Sequence, residues 1–150
     1  MLYKQSIFLA VLFFLLASCS DSIEKNQQLK IIDGFAESYF NYNFQSAANY
    51  CTPESGKWLR YEAAQMKEAD VKQLVAKPQG ISYNIQSIEY STDTSSFVTL
   101  EVNDLYTTSN IDSVGYVKSN VIFRLPMIYS EDKWQVDLDK PLRPKHRSNL

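Results

Sequence analysis

The hydrophobic pattern of the chain changes its period at Gly80, and this change limits the folds that are open to it. Before Gly80, apolar residues recur at helical spacing, as in Leu29, Ile32, Phe35, Ala36 and Tyr39. After Gly80 they alternate with polar residues, as in strands with one buried face. A sheet with one apolar face must be covered by the helices that precede it. The sequence therefore predicts an α+β domain rather than a helical bundle with a separate hairpin.

Three helices are predicted before Gly80. The first covers residues 28–42, and Asn43 caps a short second helix whose apolar face carries Phe44, Ala47, Ala48 and Cys51. Thr52-Pro53-Glu54 is a typical helix start, with a hydroxyl cap, a proline and an acid for the helix dipole. The third helix then continues to about Val75 with a bend near Ala69-Asp70, and its predicted inward residues are Leu59, Ala63, Met66, Val71 and Leu74.

Four antiparallel strands are predicted after Gly80, with turns at Asp93-Thr94 and Glu131-Asp132. In the first strand the alternation changes phase between Ile85 and Ile88, which indicates a β-bulge. The predicted apolar side of the second strand carries Val98, Leu100 and Val102. That of the long third strand carries Val117, Ser119, Val121, Phe123 and Leu125, before Pro126 limits its ladder. The last strand contributes Trp134, Val136 and Leu138.

The N-terminus has the pattern of an export signal. Lys4 precedes an uncharged apolar run, residues 7–17, which is shorter than the about 20 residues that span a bilayer and suits a secretory signal. Leu16-Ala17-Ser18-Cys19 follows and resembles the lipobox of bacterial lipoproteins. The resemblance implies cleavage before Cys19 and anchorage through several acyl chains on that residue, which hold a protein more firmly than one chain does. The alternatives are a short transmembrane helix or an ordinary cleaved signal.

These features divide the chain into a lipoprotein signal peptide (1–18), a lipidated tether (19–27), a single α+β domain (28–140) and a basic, flexible tail (141–150). Removal of Lys4 with the signal leaves 14 of the 15 basic side chains against 17 acidic ones, a formal charge of −3. Because nucleic-acid binders present a dense basic face, no nucleic-acid partner is expected. Cys51 would be the one free thiol, so the domain has no internal disulfide. We expect a buried apolar thiol; a reactive one would need exposure and a lowered pKa.

Two segments carry a resemblance to a known family. After an amphipathic helix, Asn43-Phe44-Gln45-Ser46-Ala47-Ala48-Asn49-Tyr50 resembles the opening of nuclear-transport-factor-two-like (cystatin-like) domains. Asp132-Lys133-Trp134-Gln135-Val136-Asp137 is similar to the last strand of many of them. The resemblance covers nearly all of the chain after Cys19. It implies that the N-terminal helices pack in the concave face of a curved antiparallel sheet, as in a cone with a pocket at its open end. That family contains enzymes and many non-enzymes, so the fold does not give the function.

The residue pattern predicts no catalytic residue, metal or cofactor. His146 lies in the basic tail, zinc sites need several His or Cys ligands, and the glycines are scattered. Carboxylates are the remaining candidates, as the pairs Glu101 with Asp104 and Asp137 with Asp139. Glu101 and Asp137 fall on polar strand faces, so we expect them to face water. A cross-strand ion pair with Arg124 would contribute little there.

Four residues are predicted to line a pocket in the cone: Trp58, Tyr83, Ser119 and Phe123. Aromatic walls with one or two hydroxyls suit a small apolar ligand. The alternative is that these rings only fill the core, where the polar tips of Tyr and Trp find partners.

These features favour a non-enzymatic, membrane-anchored binding or interaction module of the cell envelope. Its expected partners are membrane lipid, through Cys19, and a small apolar ligand or an envelope protein. Ser20 follows Cys19 in place of the aspartate that, by resemblance to enteric lipoproteins, retains a protein at the inner membrane, so the outer membrane is favoured and the membrane face stays open. The alternatives are a periplasmic immunity or inhibitor protein, and an isomerase- or hydratase-type enzyme that uses a carboxylate in the cone.

Replacement of the predicted lipid-bearing residue tests this interpretation. Cys19→Ser removes the thiol that accepts the lipid, so we expect unprocessed precursor and loss of labelling by a palmitate analogue. Cys51→Ser should leave labelling intact. A Cys19→Ser protein that is still processed and still labelled would contradict the prediction.

Overall fold

The helices precede the strands, in the order that the change of period predicts. The computed structural model describes residues 22–108 and 114–145; the predicted signal peptide, Cys19 and His146 lie outside these residues. Helix α1 covers residues 22–40 and is followed by α2 (Phe44–Ala47), α3 (Gly56–Gln65) and α4 (Glu68–Ala76). Two short 3₁₀ segments, Ala48–Tyr50 and Pro53–Ser55, connect α2 to α3.

The strands form one larger and one smaller antiparallel sheet. Strands β1 (Ser82–Thr92), β2 (Ser95–Asn103), β5 (Val121–Ser130) and β6 (Lys133–Val136) pair in the order β1-β2-β5-β6. Strands β3 (Leu105–Thr107) and β4 (Tyr116–Lys118) pair with each other. The ladder of β1 with β2 shifts register between Ile85 and Ser87 and again between Tyr90 and Thr92. The first shift confirms the predicted bulge, and bulges of this kind bend a sheet.

The apolar residues of α1 pack against the concave face of this sheet. Phe35 is fully buried and stacks on Tyr39, with ring centroids 5.0 Å apart. Phe40 lies 4.6 Å from the ring of Phe123 on β5. The core contains most of the predicted inward residues of the strands: Val98, Leu100, Val102, Val121, Phe123, Leu125, Trp134, Val136 and Leu138. The α+β class and the packing of N-terminal helices against a curved antiparallel sheet are therefore confirmed.

The helices differ from the prediction in where they begin and in which face of α4 is buried. Residues 22–27, predicted as tether, are already helical. Thr52 does not cap the helix that follows, because its hydroxyl contacts Ser55 Oγ at 2.8 Å and donates to Asp137 Oδ1 at 2.9 Å. The third predicted helix is broken at residues 66–67, ahead of the predicted bend. In α4, Asp70 is buried and Val71 is exposed, since Asp70 accepts hydrogen bonds from Lys67 N–H and from the hydroxyl of Tyr106.

The long third strand is divided in two, which corrects the prediction for its first half. Asn120 has a positive φ of 56°, and its N–H donates to Asn103 Oδ1 at 2.9 Å. The kink separates β4 from β5, so Val117 and Ser119 are exposed while Val121 is buried. Pro126 does not end the ladder of β5 with β2, since it pairs with Phe97 and the ladder continues to Ile128; β6 pairs with the residues after it, 127–130.

The segment after the last strand is more ordered than predicted where the structure describes it. Pro144 forms a bridge with Phe123, and Lys145 N–H donates to Ile122 O at 2.7 Å. Leu142 is buried in the core. Residues 141–145, predicted as flexible tail, therefore run beside β5.

Truncation of Phe35 tests the packing of α1. Loss of a buried aromatic ring costs about 3–5 kcal/mol, a large part of the roughly 5–15 kcal/mol that stabilises a domain. Phe35→Ala should lower the urea midpoint sharply, measured by the fluorescence of the buried Trp134. Lys30→Ala, on the exposed side of the same helix, should stay within about 0.5 kcal/mol of the parent. A neutral Phe35→Ala would show that the faces of α1 are reversed.

Candidate functional site

A cavity of about 190 Å³ lies between the C-terminal end of α1, the β3–β4 pair and the start of β5. Aromatic side chains dominate its walls, and charged side chains stand among them. The lining residues are Tyr39, Phe40, Tyr42, Phe44, Glu62, Leu105, Tyr106, Thr107, Thr108, Tyr116, Lys118, Val121, Phe123, Leu142, Arg143 and Pro144. The cavity thus draws on the end of the first helix, on α3, on both sheets and on the C-terminal segment.

The aromatic rings of the cavity hold one another in edge contacts. Tyr42 meets Phe44 at a centroid distance of 5.7 Å and an interplanar angle of 80°. It meets Tyr106 at 6.5 Å and 71°. Such edge-to-face pairs are favoured by the ring quadrupole. The walls are therefore supported by each other and present ring surface to a ligand.

A chain of hydrogen bonds fixes two of these tyrosines. The Tyr42 hydroxyl donates to the main-chain oxygen of Tyr106. The Tyr106 hydroxyl donates to Asp70 Oδ1 at 3.1 Å, and Asp70 is fully buried. Gly115, just before β4, allows this arrangement, because a Cβ there would collide with the Tyr106 hydroxyl. These hydrogen bonds connect the segment that follows α1 to β3, and β3 to α4.

An ion pair stands at the mouth of the cavity. Arg143 Nη1 lies 2.7 Å from Glu62 Oε1. The Glu62 side chain is only 15% exposed, whereas that of Arg143 is 59% exposed and reaches the surface. Lys118 is exposed on the β4 side of the cavity. The walls are therefore aromatic and the charges are confined to Glu62, Arg143 and Lys118.

Burial raises the pKa of two cavity tyrosines, so their hydroxyls stay protonated to a higher pH than that of an exposed tyrosine. Burial, with a smaller contribution from Glu62, raises the pKa of Tyr39 far above its ordinary value. The same causes, with Asp70 and Tyr106, raise the pKa of Tyr42 to about 12. At neutral pH both hydroxyls are therefore neutral hydrogen-bonding groups.

Of the four predicted pocket residues, Phe123 lines the cavity and the other three lie elsewhere. Ser119 is exposed at the kink, where its Oγ accepts from Asp104 N–H at 3.3 Å. Tyr83 donates to Asp33 on α1. Trp58 is half-buried beside Lys57, whose Nζ lies 5.0 Å from its ring centroid. The predicted residues are thus not brought together into one pocket.

Several cavity residues are not predicted as such from the sequence. Most of them lie in segments that the sequence predicts to be core or C-terminal tail. The helical spacing predicts Tyr39 as a residue of the apolar face of the first helix, and the sequence places Arg143 in the predicted tail. No pattern in the sequence points to Glu62. Tyr42 and Tyr106 carried a usable signal, because both are large side chains with polar tips next to predicted element ends. That signal does not pair them, since the contact between Tyr42 and Tyr106 joins residues that are far apart in the sequence.

The candidate carboxylates lie outside the cavity lining. Glu101 is half-exposed and accepts from Gln86 Nε2. Asp137 is half-buried rather than facing water, and it accepts from Thr52 Oγ1. Arg124 pairs with Glu89 at 3.5 Å instead of with Glu101 or Asp137, and it lies 3.8 Å from the ring centroid of Phe97. Glu101 and Asp137 are therefore held in side-chain contacts away from the pocket.

Cys51 is a buried thiol, as predicted. It is 6% exposed, its Sγ donates to Ala47 O at 3.3 Å, and burial raises its pKa to about 12. Among residues 22–108 and 114–145, no three His, Cys, Asp or Glu side chains come together as a metal site requires. Over the same residues, no helix has both the length and the apolar character to cross a bilayer.

Comparison with known proteins gives one structural similarity. The chain is similar to the crystal structure of an NTF-2-like protein of unknown function from Shewanella oneidensis MR-1, with a TM-score of 0.48 and 10% sequence identity. The similarity covers 75% of this chain and 93% of that one. No protein-family model and no curated protein matches the chain.

Alkaline pH should destabilise the domain. Cys51 and Tyr42 have ordinary pKa values of 9.0 and 10.0 and folded values of about 12. Between these limits the unfolded chain releases protons that the folded chain keeps, so the free energy of unfolding falls as the pH rises through this range. Urea unfolding at pH 7, 9 and 10.5 measures the decline. Tyr42→Phe should flatten it above pH 10; an unchanged or rising stability at pH 10.5 would contradict the assignment.

Proposed function

We propose that this chain is a lipid-anchored lipoprotein of the bacterial envelope whose domain binds a small aromatic ligand without transforming it. The cavity formed by Tyr39, Tyr42, Tyr106 and Phe123 carries the proposal. The lipobox-like sequence before Cys19 supports the anchor, and the NTF2-like arrangement of helices and sheet supports a pocket at this end of the domain.

The volume of the cavity favours a ligand with a single ring. An apolar cavity of about 150 Å³ holds benzene, whereas sites for drug-sized molecules have roughly 300–1,000 Å³. At about 190 Å³ the cavity of this protein falls between the two, near the lower value. A substituted benzene fits, and a sterol or a whole lipid does not.

The polar groups of the cavity favour one polar substituent on that ring. Tyr39 supplies a neutral hydroxyl, and Glu62 supplies an acceptor that is largely shielded from water. A phenolic hydroxyl can donate to Glu62 while its ring packs against the aromatic walls. This pattern, apolar walls with a few placed polar groups, is typical of small-molecule sites.

The contacts of Glu62 support binding rather than catalysis. In an isomerase or hydratase the carboxylate in the cone would exchange a proton with the substrate. Glu62 Oε1 is instead held by Arg143 at 2.7 Å. The ion pair makes Glu62 a fixed acceptor, which suits ligand orientation.

A second candidate function, docking of an envelope protein, is favoured by an exposed apolar patch. Val71 and Val75 lie one turn apart on α4 and are 48% and 82% exposed. Val114, Tyr116 and Val117 are exposed on and beside β4, and Tyr116 and Val117 also line a groove between the end of α4 and β4. Exposed apolar clusters often mark interaction surfaces. An immunity or inhibitor role would use a surface of this kind.

Titration calorimetry with p-cresol tests the ligand proposal. The ring and its hydroxyl match the cavity, so the parent domain should bind it, with a negative heat-capacity change from buried apolar surface. Thr107→Trp places a large ring on the half-buried lining of the cavity and should abolish binding. Thr99→Trp, also half-buried but on β2 away from the cavity, is the matched control and should bind as the parent does.

Two outcomes would overturn the proposal. Failure of p-cresol, phenol and toluene to bind the folded parent would show that the cavity takes no single-ring ligand. Equal loss of binding in both Trp variants would place the bound ring elsewhere.

A further inference from the structure

The end of the domain around the start of α1 is built from three pieces of chain, and we refer to it as the proximal end. They are the first turns of α1 from residue 22, the β1–β2 turn at Asp93-Thr94 and the β5–β6 turn at Glu131-Asp132. Gln28 Nε2 donates to Ser96 Oγ at 2.8 Å, and the Tyr90 hydroxyl donates to Gln28 Oε1 at 2.7 Å. These buried contacts hold the start of α1 against the strands next to the β1–β2 turn.

The cavity lies at the opposite end of the same helix. Tyr39 and Phe40 are in its last turn, and Tyr42 follows directly. Between residues 22 and 40 an α-helix rises by roughly 27 Å. Strand β2 covers a similar length and also runs from the proximal end towards the cavity, from the β1–β2 turn to Asn103. The proximal end and the cavity are therefore separated by about one domain length.

Only residues 20 and 21 stand between Cys19 and the first described helical residue. Three residue steps of fully extended chain reach at most about 11 Å. If Cys19 carries the lipid, Ser22 must stay within that distance of it. We propose that the proximal end is the membrane-facing surface of the domain and that the cavity opens away from the lipid. This inference rests on the lipidation in the proposed function.

The surface chemistry of α1 favours an upright domain over one lying on its side. The exposed flank of the helix carries Lys30, Asp33, Glu37 and Asn41. Helices that lie in a membrane surface present a broad apolar face bordered by Lys and Arg. The flank of α1 has no broad apolar face, and Lys30 is the single basic residue among the four named, so nothing on this flank would hold the domain flat against the bilayer.

The surface of the proximal end suits contact with a bilayer whose lipids carry little net negative charge. Ile23 and Tyr90 are 66% and 54% exposed there, and tyrosine is favoured at the membrane–water interface. Its charged side chains are Glu24, Lys25, Asp93, Glu131, Asp132 and Lys133, four acidic against two basic. An anionic bilayer would repel this surface, so the anchor and not headgroup attraction holds the domain in place.

The orientation of the domain determines from which side a ligand reaches the cavity. A cavity that is roughly 27 Å further from the bilayer than the first turn of α1 is out of reach of acyl chains. Its ligand therefore enters from the aqueous phase and not from the membrane.

Fluorescence quenching on vesicles tests the orientation. The acylated full chain is placed in phosphatidylcholine vesicles that contain lipid with a nitroxide on its headgroup. Single fluorophores are attached at Asp93→Cys, Glu37→Cys and Lys118→Cys; the native Cys51 is buried and Cys19 is blocked by lipid, so labelling goes to the introduced thiol. We expect several-fold stronger quenching at position 93 than at 118, with position 37 much closer to 118 than to 93.

The outcomes separate this inference from the proposal on which it rests. Intact-mass measurement first shows whether Cys19 is acylated; its absence would end the lipoprotein proposal and the orientation with it. With acylation present, equal quenching at 93 and 118 would overturn the orientation alone. Quenching at 37 as strong as at 93 would also overturn it, because the domain would then lie on the flank of α1.

Discussion

The packing of the aromatic side chains of α1 against the concave face of the sheet is the interaction on which the rest of the structure depends. Phe35 fills the centre of the core, and Tyr39 stacks on it. Phe40 carries the contact across to Phe123 on β5. Because these rings occupy the last turns of α1, they fix the distance between the helix and the sheet at the C-terminal end of the helix. The same series of rings then becomes the wall of the cavity.

A second constraint acts where the helical and strand parts of the chain meet. Asp70 caps the start of α4 by accepting a hydrogen bond from Lys67 N–H, and it accepts a second one from the hydroxyl of Tyr106 on β3. A buried carboxylate is tolerated only when it is well hydrogen-bonded. This requirement turns α4 so that Val71 and Val75 face outward. The exposure of these two valines is thus a consequence of satisfying one buried acid.

Much of the fold follows from local pattern, because periodicity and turn residues act over short stretches of chain. The alternation in β2, the bulge after Ile85 and the turns at Asp93-Thr94 and Glu131-Asp132 are all of this kind. The phase of α4 and the kink at Asn120 are not, since each is decided by a partner distant in sequence. Asp70 meets Tyr106, and Asn120 meets Asn103. The cavity escaped prediction for the same reason, as its walls are joined by these distant contacts.

The C-terminal segment adds a further consequence. Residues 141–145 carry Arg143 and Pro144 into the cavity wall, although β6 ends at Val136. The ladders of the four-stranded sheet use residues 82–136 alone. Arg143 and Pro144 therefore belong to the cavity wall but not to these ladders. Removal of the residues after 140 would leave the ladders in place, but it would take Arg143 away from Glu62 and remove one side of the cavity wall.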